Sequence, residues 1–392
     1  MNRVVSMSML RALAIAWSAA AALISAPMVR ATEVTGTWST VSSVPYPNGP
    51  TLLAMDAVSA SDIWAVGMSA TGFAHTQRWN GSSWSTVATP NLPGATGTTA
   101  LRAVAAISAT DAWAVGDDGS GTGIALHWNG STWIPAALPA VPGHVSLTGV
   151  SAVSSSEVWA VGYVSTDAFR TLTLRWNGSA WTQIPSPNPS TAYIPANFLY
   201  GVHARSSTEV WAVGTYHTKS TRKSSLPPQT LALRWNGSAW QHVATPALKA
   251  ANGYSVYSQF SSVRSIAAND AWAVGTVGNQ MLAMHWNGSA WTVTPTPPNV
   301  VPNQEGVFYS VDAAASDDVW AVGVARRPTL IGSGNSGTED SSLIAHWNGS
   351  AWTLVASPNP FASTDLRGAT VVNTRDVWAA GRFGFTARYV AP

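Results

Sequence analysis

The sequence has no cysteine in 392 residues, which excludes disulfides, thiol catalysis and cysteine-based zinc sites. Its eight histidines are scattered, and none forms a His-x-His or His-Glu-x-x-His arrangement, so a metal centre has little support. A Gly-x-Ser-x-Gly nucleophile elbow is missing too. Beyond the first thirty-odd residues no uninterrupted apolar run is long enough to span a bilayer. Stability must therefore come from packing and topology alone.

What is present begins with Arg3 and Arg11, an Ala- and Leu-rich run from Ala12 to Ala26, and small or apolar residues at Val29 and Ala31. That order predicts a secretory signal peptide over 1–31, since about fifteen apolar residues fall short of the roughly twenty that a spanning helix needs. Cleavage after Ala31 removes three of twenty basic residues and none of eighteen acidic ones, leaving seventeen against eighteen. The mature chain, 32–392, is thus near neutral, which removes the electrostatic case for nucleic acid. It is expected to be secreted or extracytoplasmic, monomeric, without a membrane span and without a cofactor.

The dominant feature is self-similarity. Trp-Ala-Val-Gly recurs at Trp64, Trp113, Trp159, Trp211, Trp272 and Trp320, with Trp-Ala-Ala-Gly at Trp378. The spacings of 49, 46, 52, 61, 48 and 58 residues suit four-stranded propeller blades. Trp-Asn-Gly-Ser-x-Trp follows in six units, beginning at Trp79, Trp128, Trp176, Trp235, Trp286 and Trp347. In the seventh unit Tyr389 takes the first Trp slot, and the missing outer strand reappears at the other terminus as Gly36 to Val41, where Trp38 matches Trp84 and its equivalents. Repeat positions absorb every tryptophan except Trp17 of the leader, so none is left for a special site.

Each unit reads as four short strands, for example Leu199 to Ala204, Val210 to Gly214, Leu231 to Trp235 and Trp240 to Ala244. Asn-Gly between the third and fourth predicts a two-residue type I′ hairpin. The same Asn-Gly-Ser triplets are glycosylation sequons, but turn chemistry accounts for all six. An acid stands two residues before every Trp-Ala-Val-Gly motif, from Asp62 to Asp376, and a base precedes each third-strand aromatic, from Arg78 to Arg388. One acid and one base per unit read as a repeated structural pair, because turn chemistry is copied seven times far more readily than function. The expected fold is an all-β, seven-bladed propeller of four antiparallel strands per blade, its last blade closed by the N-terminal strand.

These units resemble those of secreted bacterial propellers near the Asp-box (BNR) and kelch-like classes. The Asp-box consensus, the kelch glycine doublet and the WD40 Gly-His and Trp-Asp pairs are not present. The order of strand, glycine and Trp-x-Gly-Ser-x-Trp hairpin is also similar to seven-bladed fucose-binding bacterial lectins. The resemblance implies the fold and a lectin-like, carbohydrate-binding role as an expectation.

Turns between strands one and two and between three and four are short, so length variation and most Tyr and Phe gather at the opposite end. Recognition is expected there. Strand one opens with Leu52, Leu101, Leu147, Leu199, Phe260, Phe308 and Leu366, and the residue after each varies: Leu53, Arg102, Thr148, Tyr200, Ser261, Tyr309 and Arg367. This column is expected to ring the channel mouth. Arg102, Tyr200, Tyr309 and Arg367, with Tyr216 and Phe383 from the variable end, form the candidate ligand-binding set for a glycan or surface partner. No catalytic or metal residues are assigned. Alternatives are a sialidase-like hydrolase or lyase, for which Arg102, Arg264 and Arg367 offer an arginine cluster, and a structural cell-surface module. Asp117-Asp118-Gly-Ser-Gly-Thr-Gly lacks the P-loop lysine and EF-hand carboxylates, and reads as a flexible loop.

Overall fold

The structure, a computed structural model, describes residues 36–41, 49–92, 98–218, 220–221, 224–250, 253–299, 304–331, 335–361 and 363–392. Residues 1–35 with Trp17, and Tyr46, Lys219, Arg222 and Lys223, lie outside the described residues.

Seven four-stranded antiparallel sheets account for the repeats, and we call them blades 1 to 7 with strands a to d. Blade 4 is representative: a is Asn197–Ser206, b is Glu209–Tyr216, c is Gln229–Trp235 and d is Trp240–His242. Strand a of each blade meets strand a of the next around a complete ring, so these strands wall a central channel. Blade 7 takes a, b and c from the C-terminal segment, and its d strand is Thr37–Thr40. Trp38 pairs with Tyr389 and Thr37 with Val390, so one sheet joins the two ends of the propeller.

The tryptophans show why a unit cannot fold alone. Each strand-b Trp is buried and meets the strand-c and strand-d aromatics of the following blade, as Trp64 meets Trp128 at 5.0 Å and Trp133 at 4.9 Å between ring centroids. The pattern runs around the seam without a break: Trp320 meets Tyr389 and Trp38, and Trp378 meets Trp79 and Trp84. Aromatic pairs contribute about 0.5–1.5 kcal/mol beyond area burial, and each contact of a strand-b Trp with the following strand-c and strand-d rings spans two blades.

The acid and base columns form the paired ladder that their spacing implied. Arg78 reaches both oxygens of Asp62 at 2.6 and 2.7 Å, and Arg388 both of Asp376 at 2.8 and 2.9 Å. His127, His285 and His346 meet Asp111, Asp270 and Asp318 at 2.8 to 2.9 Å, and Arg175 meets Glu157 at 2.8 Å. Arg234 stands 3.5 Å from Glu209, which Arg205 also engages. Each base lies over the strand-b Trp of its own blade, 4.4 to 5.4 Å from the ring centroid. It therefore links a turn carboxylate to a core ring.

The c-to-d turn differs from the type I′ expectation. Trp79 pairs with Trp84, and the Asn80 N–H reaches the Ser83 carbonyl at 3.2 Å, so the central pair is Gly81-Ser82 rather than Asn80-Gly81. Only glycine has positive φ, +97° at Gly81. The asparagine side chain explains the shift: Asn80 Oδ1 accepts the N–H groups of Ser82 and Ser83 and the Ser82 hydroxyl at 2.9 to 3.0 Å. With its side chain closing an Asx turn from the first position, the asparagine leaves the positive-φ corner to the glycine.

Strand a carries a β-bulge opposite the glycine of every Trp-Ala-Val-Gly motif. In blade 4, Leu199 pairs with Gly214 and Gly201 with Val213, leaving Tyr200 as the extra residue. A Cβ on Gly214 would lie 2.0 Å from the Phe198 carbonyl oxygen, and the other six motif glycines are crowded likewise at 1.7 to 2.1 Å. The motif ends in glycine because the bulge drives a carbonyl onto it. Bulges re-aim side chains, and this one prepares the site.

Candidate binding site at the channel mouth

The seven extra residues are Leu53, Arg102, Thr148, Tyr200, Ser261, Tyr309 and Arg367, one from each blade. Together with Gln259 they line a cavity of about 230 Å³ at the channel mouth on the face of the variable loops. A bulge residue has no ladder partner, so its side chain is turned off the sheet and into the channel. The preceding residues, Leu52 through Leu366, are fully buried and anchor the column from behind.

Both arginines are held by carboxylates. Arg102 donates Nε and Nη2 to Asp117 at 2.6 and 3.2 Å, and Ser146 adds a 2.6 Å hydrogen bond to the same carboxylate. The Asp117 bond raises the Arg102 pKa further. Burial alone would raise Asp117, but the hydrogen bonds from Arg102 and Ser146 outweigh it and hold the carboxyl below its usual range. Asp118 closes its own turn, accepting the N–H groups of Ser120 and Thr122 at 3.0 and 2.8 Å. The Asp-Asp-Gly segment is thus a braced support for Arg102.

Across the cavity, Arg367 meets fully buried Asp365 at 2.8 Å and lies over the Tyr309 ring, 5.3 Å from its centroid. Arg382 joins Asp365 to Asp340, and Arg326 joins Asp340 to Glu305 at 2.9 and 3.3 Å. Four arginines thereby face four carboxylates. Burial, reinforced by Tyr257 and Tyr163, pushes the Tyr200 phenol upward and keeps it neutral. Ser261 Oγ is buried in the cavity wall with no hydrogen-bond partner among the described residues.

Arg102, Tyr200, Tyr309 and Arg367 therefore come together, whereas Tyr216 and Phe383 do not line this cavity. Tyr216 lies opposite Gln229 beside His242, with ring centroids 5.8 Å apart. Phe383 has φ +60° in the 3-10 turn Arg382–Gly384 and packs 6.1 Å from Phe361. Gln259 lines the cavity, and the carboxylates Asp117 and Asp365 brace it, at positions that the repeat does not mark. The one available signal was adjacency, since Asp117 directly follows Gly116 and Asp365 precedes Leu366 at the bulge.

The opposite channel mouth is also polar, with a cavity of about 210 Å³ lined by Asp56, His203, Arg264 and Asp312 among others. Its groups satisfy one another. Arg264 meets Asp312 at 3.0 Å and His203 Nε2 at 2.9 Å, and Asp56 accepts the N–H groups of Ala57 and of Ala106 in the next blade. Arg264 is therefore removed from Arg102 and Arg367, and these three arginines do not come together at either cavity.

Sheets, closure and mouth define a seven-bladed β-propeller with four antiparallel strands per blade. No family model and no curated protein matches the sequence. Solved structures do match in fold. One is YCF48 bound to D1 peptide, 16% identical with a TM-score of 0.56, covering 91% of this chain and 96% of that one. A second is a catalytically inactive virginiamycin B lyase from Staphylococcus aureus with quinupristin, 12% identical with a TM-score of 0.58, covering 91% and 100%. A third is the fungal Aleuria aurantia lectin, a six-bladed propeller with a fucose recognition mode, 14% identical with a TM-score of 0.50, covering 82% and 100%. Such likeness carries the fold and leaves function to the site. Among the described residues no helix is long and apolar enough to cross a membrane.

Proposed function

We propose that the chain is an exported, non-catalytic binding propeller that recognises a carbohydrate on a cell surface or in its surroundings through the channel mouth. The observation that carries this reading is the ring of bulge residues. It brings together two arginines held by carboxylates, two tyrosines, and the hydroxyl and amide groups of Thr148, Ser261 and Gln259. Groups that both donate and accept hydrogen bonds beside aromatic surface suit a polyhydroxylated ring. The lectin among the fold neighbours is consistent with that ligand class, and the peptide-bound neighbour illustrates the protein-partner alternative. A glycan hydrolase or lyase has less support, because Arg264 stands at the other mouth.

A glycan array followed by calorimetry tests the reading. Arg102→Ala and Tyr309→Ala are each expected to weaken the best binder by about tenfold or more, roughly 1.4 kcal/mol. An empty array together with a protein recovered by pull-down would replace the carbohydrate with a protein partner. Turnover of a sialoside or polysaccharide that disappears in Arg102→Ala would establish an enzyme instead. Export is checked by N-terminal sequencing of secreted material, expected to begin at Thr32.

A further inference from the structure

The face around the mouth is divided into two unlike sectors. Over blades 6 and 7 it is charged, with Arg326, Arg382, Asp340 and Asp365 paired among themselves and Arg327 paired with Glu339 on the exposed edge. Over blades 3 to 5 it is aromatic. Tyr200 in the cavity wall stacks on Phe198, with centroids 6.2 Å apart and planes 4° from parallel, and Phe198 meets Tyr163 at 5.0 Å and Phe169 at 4.9 Å. The band continues outward: the Phe169 N–H bonds the Pro195 carbonyl, next to Ile194 and Tyr193, which are 57% and 59% exposed. On the blade 5 side, Tyr257 bonds cavity-lining Gln259, and Tyr254 is 75% exposed.

The loops carrying these rings brace one another. Ser190 Oγ bonds the His217 carbonyl at 2.7 Å, the His217 N–H bonds the Ala196 carbonyl at 2.9 Å, and Gln229 Nε2 reaches the Val256 carbonyl at 3.1 Å. Exposed aromatics on cross-tied loops, continuous with a cavity, form a platform that loses little entropy when it binds.

We infer that the ligand is a neutral oligosaccharide, with one sugar unit in the mouth and its neighbours laid along the aromatic band of blades 3 to 5. This rests on the carbohydrate reading given above. Neutrality follows from the electrostatics: the four arginines near the mouth are matched by the four carboxylates Asp117, Asp365, Asp340 and Glu305, which leaves no excess positive charge to offset an acidic sugar. Chain length follows from shape, because the cavity has room for about one ring while the band runs well beyond it. Pyranose rings present C–H faces that pack on tyrosine and phenylalanine while their hydroxyls remain in water.

Calorimetry with linear cello-, manno- and xylo-oligosaccharides of one to six units, and oligogalacturonides as acidic counterparts, decides the matter. For one neutral series, affinity is expected to rise about tenfold or more between one and four units. Tyr193→Ala and Tyr254→Ala, both at exposed positions and each checked for an unchanged thermal midpoint, should reduce that gain and leave the single-unit affinity unchanged. Two results overturn the inference while the mouth remains a sugar site: length-independent affinity, or preference for oligogalacturonides, with binding still lost in Arg102→Ala. Absence of binding across all series, or sugar binding indifferent to Arg102→Ala, overturns the carbohydrate reading itself.

Discussion

Trp38 and Tyr389, from opposite ends of the described chain, are direct partners in one antiparallel sheet, and both rings rest on Trp320 of the preceding blade. That geometry makes the seventh blade a clasp. Without Thr37–Thr40 the ring has two unfinished blade faces and an uncovered strand edge.

Trp38→Ala should therefore lower stability by about 3 kcal/mol, although it lies in a short terminal strand. Deleting residues 32–44 should depress the thermal midpoint far more than trimming an equal length from the b-to-c loop of blade 4. Equal losses in the two deletions would show that the clasp does not hold the ring.

Gly214→Ala links fold to site. Its Cβ would sit 2.0 Å from the Phe198 carbonyl oxygen, so either the strands part or the bulge flattens. Overpacking of this kind costs about 1–3 kcal/mol, and flattening the bulge withdraws Tyr200 from the mouth. Ligand affinity and chemical-denaturation midpoint should fall together. A variant with wild-type midpoint and affinity would mean that the glycine is there for some reason other than the bulge.

What repeats was legible, and what occurs once was not. The six Trp-Ala-Val-Gly motifs with their Trp-Ala-Ala-Gly variant and the acid and base columns each show the same constraint several times, so a single alignment exposes them and the split of the last blade. The bulge column could be placed at the mouth because its anchor is always Leu or Phe while the next residue is free to vary. Asp117 could not be assigned to Arg102, because an acid follows the motif glycine in blade 2 alone and the pairing has no counterpart in the other blades to reveal it. The c-to-d turn departs from type I′ for a local reason, since Asn80 spends its side chain on the turn N–H groups. Tyr216 and Phe383 share the signature of an aromatic in a variable loop with recognition residues, but that class of residue also pins loops to a scaffold.

The seven acid–base pairs should not be equal in energy. In blade 6, Asp318 Oδ1 accepts both His346 Nε2 and Trp320 Nε1 at 2.8 Å, and the Asp and His side chains are only 5% and 3% exposed. Asp318→Ala strands two buried donors and should cost about 3 kcal/mol or more. In blade 2 the His127 side chain paired with Asp111 is 35% exposed, so Asp111→Ala should cost about 1 kcal/mol or less. Urea unfolding of the two variants separates the cases, and similar losses would contradict the dependence on burial.

The far mouth should give the protein a pH dependence made of two opposed contributions. Burial pushes the Asp56 carboxyl up to about 6, with Asp312 adding to the rise and the N–H groups of Ala106 and Ala57 and the charge of Arg264 opposing it. The folded state then takes up this proton before the unfolded chain does, so Asp56 contributes stability below about pH 4 that is lost as pH rises through 6. Burial, with the charges of Arg264 and Arg205, pushes His203 down to about 3, and its Nε2 receives the Arg264 guanidinium. The unfolded chain protonates His203 first, so that contribution is complete above about pH 6.5 and is lost as pH falls toward 3. Between pH 4 and 6 the two slopes oppose one another, and wild-type stability should change less than either group alone would dictate. Asp56→Asn should leave the histidine slope uncovered, with stability falling more steeply on acidification, and His203→Gln should leave stability rising as pH falls over the same window. Thermal midpoints across pH 4 to 7 for the three proteins read this directly, and unchanged slopes in both variants would place the pH dependence elsewhere in the molecule.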